Sequence, residues 1–369
     1  MNGLTISLYG SSLLSTFRNG AASYYRGLIR NLHALGHRVT FFEPDAFDRK
    51  KHRDLEPQEW ARVVVYPATM DGVARALDQG KGADIIIKAS GVGVFDSLLE
   101  HAVLEMRRAS AQVYFWDVDT PASLDRLHAD ENDPFRPLVP RYDLILTHGG
   151  GPPVQNAYRA LGARACVPIY DALDPETHYP VAAMPKFQAD LAFLGHRLPD
   201  REARVEELFL RPASALSGRR FLLAGNAWDD KALPSNVRYL GSVPPSEHNA
   251  FNCSPRAVLS LAGDSTARYG WGPVPRVFEA AGVGACLITD AWRGLEDFLE
   301  PGVEVLVARS GEAVKDLLAS LNDARAREIG EAARRRILQH HTYAHRAAEV
   351  QRIFERGVET LPPPAEEVA

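Results

Sequence analysis

Over the first half of the chain, short apolar runs alternate with amphipathic stretches, the rhythm of a parallel sheet covered by helices. The runs read as strands at Leu4–Tyr9, Arg38–Phe42, Arg62–Tyr66, Asp84–Lys88, Gln112–Trp116, Asp143–Thr147 and Ala165–Ile169. Between the first two lies a loop from Gly10 to Gly20, then a helix from about Ala21 to Leu35 that Gly36 ends. From Asp190 the alternation starts afresh. ADLAFL ends a strand at Leu194, RRFLLAGNAW and VRYLGSV supply two more, and Ala257–Ser265 and Ala285–Thr289 follow. The expected class is therefore α/β, with two doubly wound Rossmann-type domains. Length agrees, because 369 residues exceed the roughly 250–300 at which a single core stops growing. PIYDALDPETHYPV, Pro168–Val181, is rich in proline and turn formers and reads as the hinge, with the boundary near 183.

In a doubly wound sheet, ligands bind outside the carboxyl ends of the strands. Ser11, Ser12, Arg18, Asn19 and Gly20 are expected to border that crevice. No GxGxxG follows the first strand, and SGVGVF at Ser90–Phe95 is only a partial imitation, so a dinucleotide-binding dehydrogenase is not expected.

The stretch richest in chemistry is DSTARYGWGPVPRVFEAAGVGACLITDAWRGLEDFL, Asp264–Leu299. Pro275 suits the first position of a helix, where a missing N–H costs nothing, and Gly282 and Gly284 suit its end. Arg276 and Glu279 lie three apart and share one face, while Val277, Phe278 and Ala281 can pack inward. A helix amino end attracts anions, so a diphosphate can sit on the free N–H groups while Glu279 accepts hydrogen bonds from a ribose diol. The plainer alternative is a solvated Arg276–Glu279 pair. The preceding Arg268-Tyr269-Gly270-Trp271-Gly272-Pro273 has the composition of a ligand-facing loop, with Arg268 and Tyr269 as donor contacts and Asp264–Tyr269 as crevice loop.

Other strand ends carry polar groups. In YFWDVDTPASL, Asp117 and Asp119 stand at alternate positions and can face one way. Asp119, with Asp117 second, fits a general base for an acceptor hydroxyl. Asp119 equally fits the cap of the helix opening at Thr120-Pro121. His148, ahead of three glycines, either meets substrate or is structural. Gly195 allows close approach to a phosphate, and Arg197 either neutralises it or is a surface arginine. Trp228 offers a stacking face or packs inward. Asp290 contacts sugar hydroxyls or caps a helix. Helix Asp323–Gln339 is Arg-rich, a solvated face or at most a weak attachment to an anionic membrane. His340, His341 and His345 lack an acidic partner, so no metal site is expected.

RVFEAAGVGACLITDAW, with GLEDFLEPGVEVLVAR, resembles the donor-binding segment of GT-B glycosyltransferases, in which a C-terminal-domain helix presents a Glu to the nucleotide ribose. More narrowly it resembles their CgeB-like, spore-maturation branch. FWDVDTPASL, FLGHRLPDRE and HNAFNCSPRAVLSL extend the resemblance over nearly the whole chain. It implies a GT-B-like fold of two domains facing across a cleft: an acceptor side over 1–183, a nucleotide-sugar donor domain over 184–341, and a final helix, Tyr343–Gly357 within 342–369, crossing back. Leu361–Ala369 reads as a frayed tail. The implied activity is metal-independent transfer of a sugar from a nucleotide-diphosphate donor to an acceptor hydroxyl, with no cofactor. Glu279 would hold the ribose, and Arg197 and Arg276 the diphosphate. Asp-x-Asp also resembles the metal-binding motif of GT-A enzymes, which belongs to a single-domain fold and so fits this chain less well. An epimerase of the same fold and a non-catalytic surface or spore-associated protein are the rivals.

Composition narrows the partners. A net charge of −5 and the absence of a nucleic-acid motif leave nucleic acid unexpected. Cys166, Cys253 and Cys286 are far apart without CxxC spacing, so a reducing, cytoplasmic setting fits best. Leu4–Tyr9 is too short for a signal peptide, and no run approaches the roughly 20 apolar residues of a membrane span.

Overall fold

The computed structural model describes residues 3–17 and 19–356. Arg18 and the tail Leu361–Ala369 lie outside the described residues. The chain divides into two compact units, Met1–Tyr170 with Tyr343–Ala369, and Asp171–Thr342. The division comes earlier than 183 because the connector already packs with the second unit. Leu173 N–H donates to the His341 carbonyl at 2.8 Å, and its side chain fills the space that a Cβ on Gly282 would take.

In the N-terminal unit the strands are β1 (Thr5–Tyr9), β2 (Arg38–Asp45), β3 (Arg62–Pro67), β4 (Ile85–Ala89), β5 (Gln112–Asp117), β6 (Leu144–Thr147) and β7 (Cys166–Pro168). They form one parallel sheet in the order β3-β2-β1-β4-β5-β6-β7. All the expected strands are present; the central ones, β4, β5 and β6, are apolar runs buried on both faces, while β3 and β7 at the edges are only half-buried. Every residue of β4 is buried, Lys88 included. Order reverses between β1 and β4, which places the switch point beside the loops after those strands. Within this unit the helix Tyr343–Arg356 packs on Ala22–Ala34.

In the second unit the strands are β8 (Leu191–Leu194), β9 (Phe221–Ala224), β10 (Val237–Tyr239), β11 (Ala257–Ser260), β12 (Leu287–Asp290) and β13 (Leu306–Ala308). They too are parallel, in the order β10-β9-β8-β11-β12-β13, so the switch point lies between β8 and β11. Phe193, Phe209, Phe221, Leu259, Ile288 and Ile329 form part of the core beneath one face. The helix Pro275–Gly282 starts at the proline that the sequence predicts. Asp264–Tyr269, expected as loop, is a short helix ended by Gly270 at φ +71°. Among the described residues no helix is long and apolar enough to cross a membrane.

Candidate functional site

Two side-chain groups stand at strand carboxyl ends, one in each unit. In the second unit, Val277 and Phe278 anchor the helix Pro275–Gly282 in the core, leaving Arg276 and Glu279 on its outer side. Arg276 Nη1 lies 3.2 Å from Glu279 Oε2, and His178 Nε2 lies 3.9 Å from Glu279 Oε1. Glu279 keeps 25% of its side-chain surface in solvent, enough for an outside donor to reach it. Burial pushes its carboxyl up, but Arg276, His178 and His248 outweigh burial and hold it below the usual carboxylate range. Burial and then Arg276 push the His248 imidazole down, and Glu279 opposes them.

Beside this pair stands a residue that the sequence reading passed over. Arg201, in the helix Pro199–Val205 after β8, lies 5.6 Å over the Phe193 ring and donates from Nη2 to the His196 carbonyl at 2.8 Å. A Cβ on Gly195 would come 2.9 Å from that nitrogen, so the glycine makes room for the guanidinium. Burial lowers the Arg201 pKa, Asp200 opposes the shift and Arg276 adds to it, which places two guanidiniums within each other's field. Arg201 Nε and Arg276 Nη1 are both buried without a hydrogen-bond partner. Arg276 Nη1 still has the Glu279 carboxylate at 3.2 Å, so Arg201 is the cation with a donor to spare, and the two together are suited to an anion.

Arg197, the expected diphosphate ligand, is instead held by Glu202 and Asp230, each at 2.8 Å. Asp290 is also committed. It is buried at the end of β12, 2.6 Å from Arg204 Nη1, and accepts from Ala262 N–H at 3.2 Å. Arg204 also pairs with Asp264 at 2.6 Å, tying the β11 and β12 ends together. Asp290 thus neither caps a helix nor turns to solvent. Trp228 is buried and donates to the Gly195 carbonyl at 2.8 Å, fixing that loop from below rather than presenting a stacking face. Arg268 is exposed, 5.8 Å over Tyr269, which is half-buried. The loop between them and the helix is stapled by Trp271, whose N–H donates to the Arg293 carbonyl at 2.6 Å and whose indole donates to Asp297 at 2.7 Å.

In the N-terminal unit, Asp117 and Asp119 do not face the same way. Asp117 is fully buried. Its Oδ1 accepts from Ser90 (2.8 Å), Ser123 (2.7 Å) and the Asp119 N–H (3.3 Å), and its Oδ2 from Tyr158 (2.6 Å). With its oxygens occupied by protein donors, Asp117 cannot share a metal with Asp119 in the Asp-x-Asp manner. Asp119 is exposed and stands at the N-cap position of the helix Thr120–Ala129, without a side-chain capping bond. Loss of water around the carboxyl and then the Asp117 charge push it above the usual range, only partly offset by the Ala122 backbone and His148. His148 is half-buried, its ring edge-on to Tyr24 at 4.6 Å, and its N–H donates to the Asp117 carbonyl at 2.8 Å. Ser11 and Ser12 are buried in the β1 loop, the latter bonded to Glu43 at 3.0 Å, and Asn19 closes that loop through the Ser12 and Ser15 carbonyls. Gly20 is exposed with open space around it. Among the described residues no three His, Cys, Asp or Glu side chains converge as metal ligands.

Residues 201–352 match the family model described as glycosyl transferase-like. A sequence search of curated proteins finds no match. Solved structures align over nearly the full length. Sucrose-phosphate synthase from Thermosynechococcus elongatus has a TM-score of 0.69 at 14% identity, covering 96% of this chain and 98% of its own. Anabaena HepE in complex with UDP-glucose gives 0.66 at 13% identity, covering 96% and 100%. A glycosyltransferase involved in avilamycin A biosynthesis gives 0.60 at 17%, covering 97% and 99%. The fold is GT-B. Within this GT-B chain, the segment matching the family model carries Arg201, Arg276, Glu279 and Asp290, whereas Asp117, Asp119 and His148 precede it.

Proposed function

We propose that this protein is a glycosyltransferase of the CgeB-like branch that moves a sugar from a nucleotide-diphosphate donor to an acceptor hydroxyl without an obligatory metal ion. The observation that carries the reading is that Arg201, with a buried Nε that no hydrogen bond reaches, stands in the field of Arg276, on the first turn of a helix that also bears Glu279. Glu279 accepts hydrogen bonds from the ribose diol. Arg201, Arg276 and the helix N–H groups meet the diphosphate, and their charge counts most as the bond from the anomeric carbon to the diphosphate oxygen breaks. As the acceptor oxygen bonds to that carbon, its proton passes to Asp119, whose carboxyl is made a better proton acceptor by loss of water and by the Asp117 charge. His148 stands close enough to influence Asp119 and assists there. Arg268 and Tyr269 serve the sugar side, and Gly195 and Gly20 leave room for ligand at the ends of β8 and the β1 loop. The uridine nucleotide in the HepE complex makes UDP-glucose the first donor to try. The three cysteines stand free, in keeping with the reducing cytoplasm.

Calorimetric titration with UDP and UDP-glucose tests the donor half. The wild-type protein is expected to bind, and Glu279→Gln to weaken binding by roughly 10- to 100-fold, the loss of hydrogen bonds to a charged acceptor. Binding that Glu279→Gln leaves intact overturns the assignment of the ribose site. An isomerised sugar formed from UDP-glucose without acceptor replaces transferase with epimerase.

A further inference from the structure

The Asp117 carboxylate is chemically excessive for its place. It lies wholly within the protein, where an ionised carboxyl is costly unless hydrogen bonds surround it, and it is surrounded. Ser90 comes from the end of β4, Ser123 from the helix Thr120–Ala129, and Tyr158 from the helix Pro152–Ala160, so three elements converge on one side chain. Burial and Asp117 itself push the Tyr158 hydroxyl well above its ordinary value, so it remains a donor. The same network grips the backbone that follows. Asp119 N–H reaches Asp117 Oδ1, Val118 N–H donates to Ser90 Oγ at 2.9 Å, and Thr120 Oγ1 and His148 N–H donate to the Asp117 carbonyl at 3.3 and 2.8 Å. A neutral amide would serve part of that clamp. What an amide would not supply is the negative charge two residues from Asp119.

The geometry points to Asp117 as a positioning residue for Asp119: its carboxylate, held by Ser90, Ser123 and Tyr158, fixes the Val118–Asp119 backbone and sets the electrostatic field in which Asp119 accepts a proton. The inference rests on the reading of Asp119 as the base. Ser90, Ser123 and Tyr158 all donate to the buried Asp117 carboxyl, while Asp119 is the exposed member and the one that can meet an acceptor.

The test is an NMR titration of the full chain labelled at the aspartate carboxyls, the Asp119 signal being assigned by its loss in Asp119→Asn. Two variants are expected to move the titration of the Asp119 signal in opposite directions. Asp117→Asn removes the repelling charge and lowers the proton affinity of Asp119 by about tenfold, a unit of pKa. Tyr158→Phe keeps every charge but takes one donor from Asp117, so the Asp117 charge weighs more heavily on Asp119, which binds its proton more tightly by roughly threefold. Simple loosening of structure would move both variants the same way, and that result, or no movement in either, overturns the proposal. If Asp117→Asn does not fold, the sign of the Tyr158→Phe shift decides alone. The acid limb of a pH–rate profile for UDP-glucose turnover should follow the same shifts. Opposite shifts in a protein that turns over no nucleotide sugar would remove the transferase reading and leave the pair; turnover with an unmoved Asp119 would do the reverse.

Discussion

Two arginines four positions apart follow β8, and their surroundings give them different work. Arg197 is bound by Glu202 and Asp230 at the surface, while Arg201 lies inward near Arg276 with a nitrogen left over. Arg201→Ala is expected to weaken UDP-glucose binding by roughly 10- to 100-fold, since a charge-assisted contact to phosphate is lost. Arg197→Ala removes one half-buried and one exposed ion pair, to Glu202 and Asp230, and should change binding by less than about threefold. Calorimetric titration of both variants checks the contrast, and a reversed ranking would return the diphosphate role to Arg197. The sequence exposes this ambiguity without resolving it. FLGHRLPDRE shows a strand, a glycine and two arginines, but only the turn at Leu198-Pro199 decides which one comes back over Gly195. Asp117 was misjudged for a related reason. Alternation in an extended strand puts i and i+2 on one side, but the strand ends at Asp117 and the chain has already turned at Asp119.

At the level of elements, what the sequence makes plain is what is buried on both faces. Runs such as Ile85–Ala89 and Gln112–Asp117 have little choice but to become central strands. Short edge elements carry a weaker signal: β13 has only three residues, Leu306–Ala308, too few for an alternation to show. The packing of the donor helix is also silent in the sequence. Gly330 sits within the helix Asp323–His340, where alanine would ordinarily be favoured by roughly 0.5–1 kcal/mol. Here a Cβ would come within 2.0 Å of the Gly284 carbonyl oxygen, just past the end of Pro275–Gly282. Backbone cannot swing aside as a side chain can, so Gly330→Ala is expected to destabilise the protein by about 1–3 kcal/mol despite its helix propensity. Chemical denaturation measures this, and a stabilised variant would show that the two helices are not packed at this distance. Weaker UDP-glucose binding by the folded variant should accompany the loss, because Arg276 and Glu279 ride on the helix that moves.

For the molecule as a whole, the units differ in how they answer to alkali. Six tyrosines, Tyr9, Tyr25, Tyr66, Tyr114, Tyr142 and Tyr158, are held above their ordinary value near 10 chiefly by burial, and all belong to the N-terminal unit. Tyr179, Tyr239 and Tyr269 of the second unit are exposed or half-buried. The sign follows from proton counting. Below pH 10 both folded and unfolded chains keep the phenolic protons, and the stability is fully present. Above it the unfolded chain releases protons that the folded chain retains, so stability falls with each further rise in pH until the folded values are reached. Because each buried phenol contributes about 1.4 kcal/mol per pH unit in that window, several acting together exceed the few kcal/mol that hold an ordinary domain. Unfolding between about pH 10 and 12 is therefore expected to begin in the N-terminal unit, with tyrosinate absorbance rising in a cooperative step. Limited proteolysis at those pH values locates the opening: cuts should gather before Tyr170 while the Asp171–Thr342 unit resists. Cuts that begin in the second unit, or tyrosinate that appears gradually while the chain stays folded, would mean that the buried phenols do not govern alkaline stability.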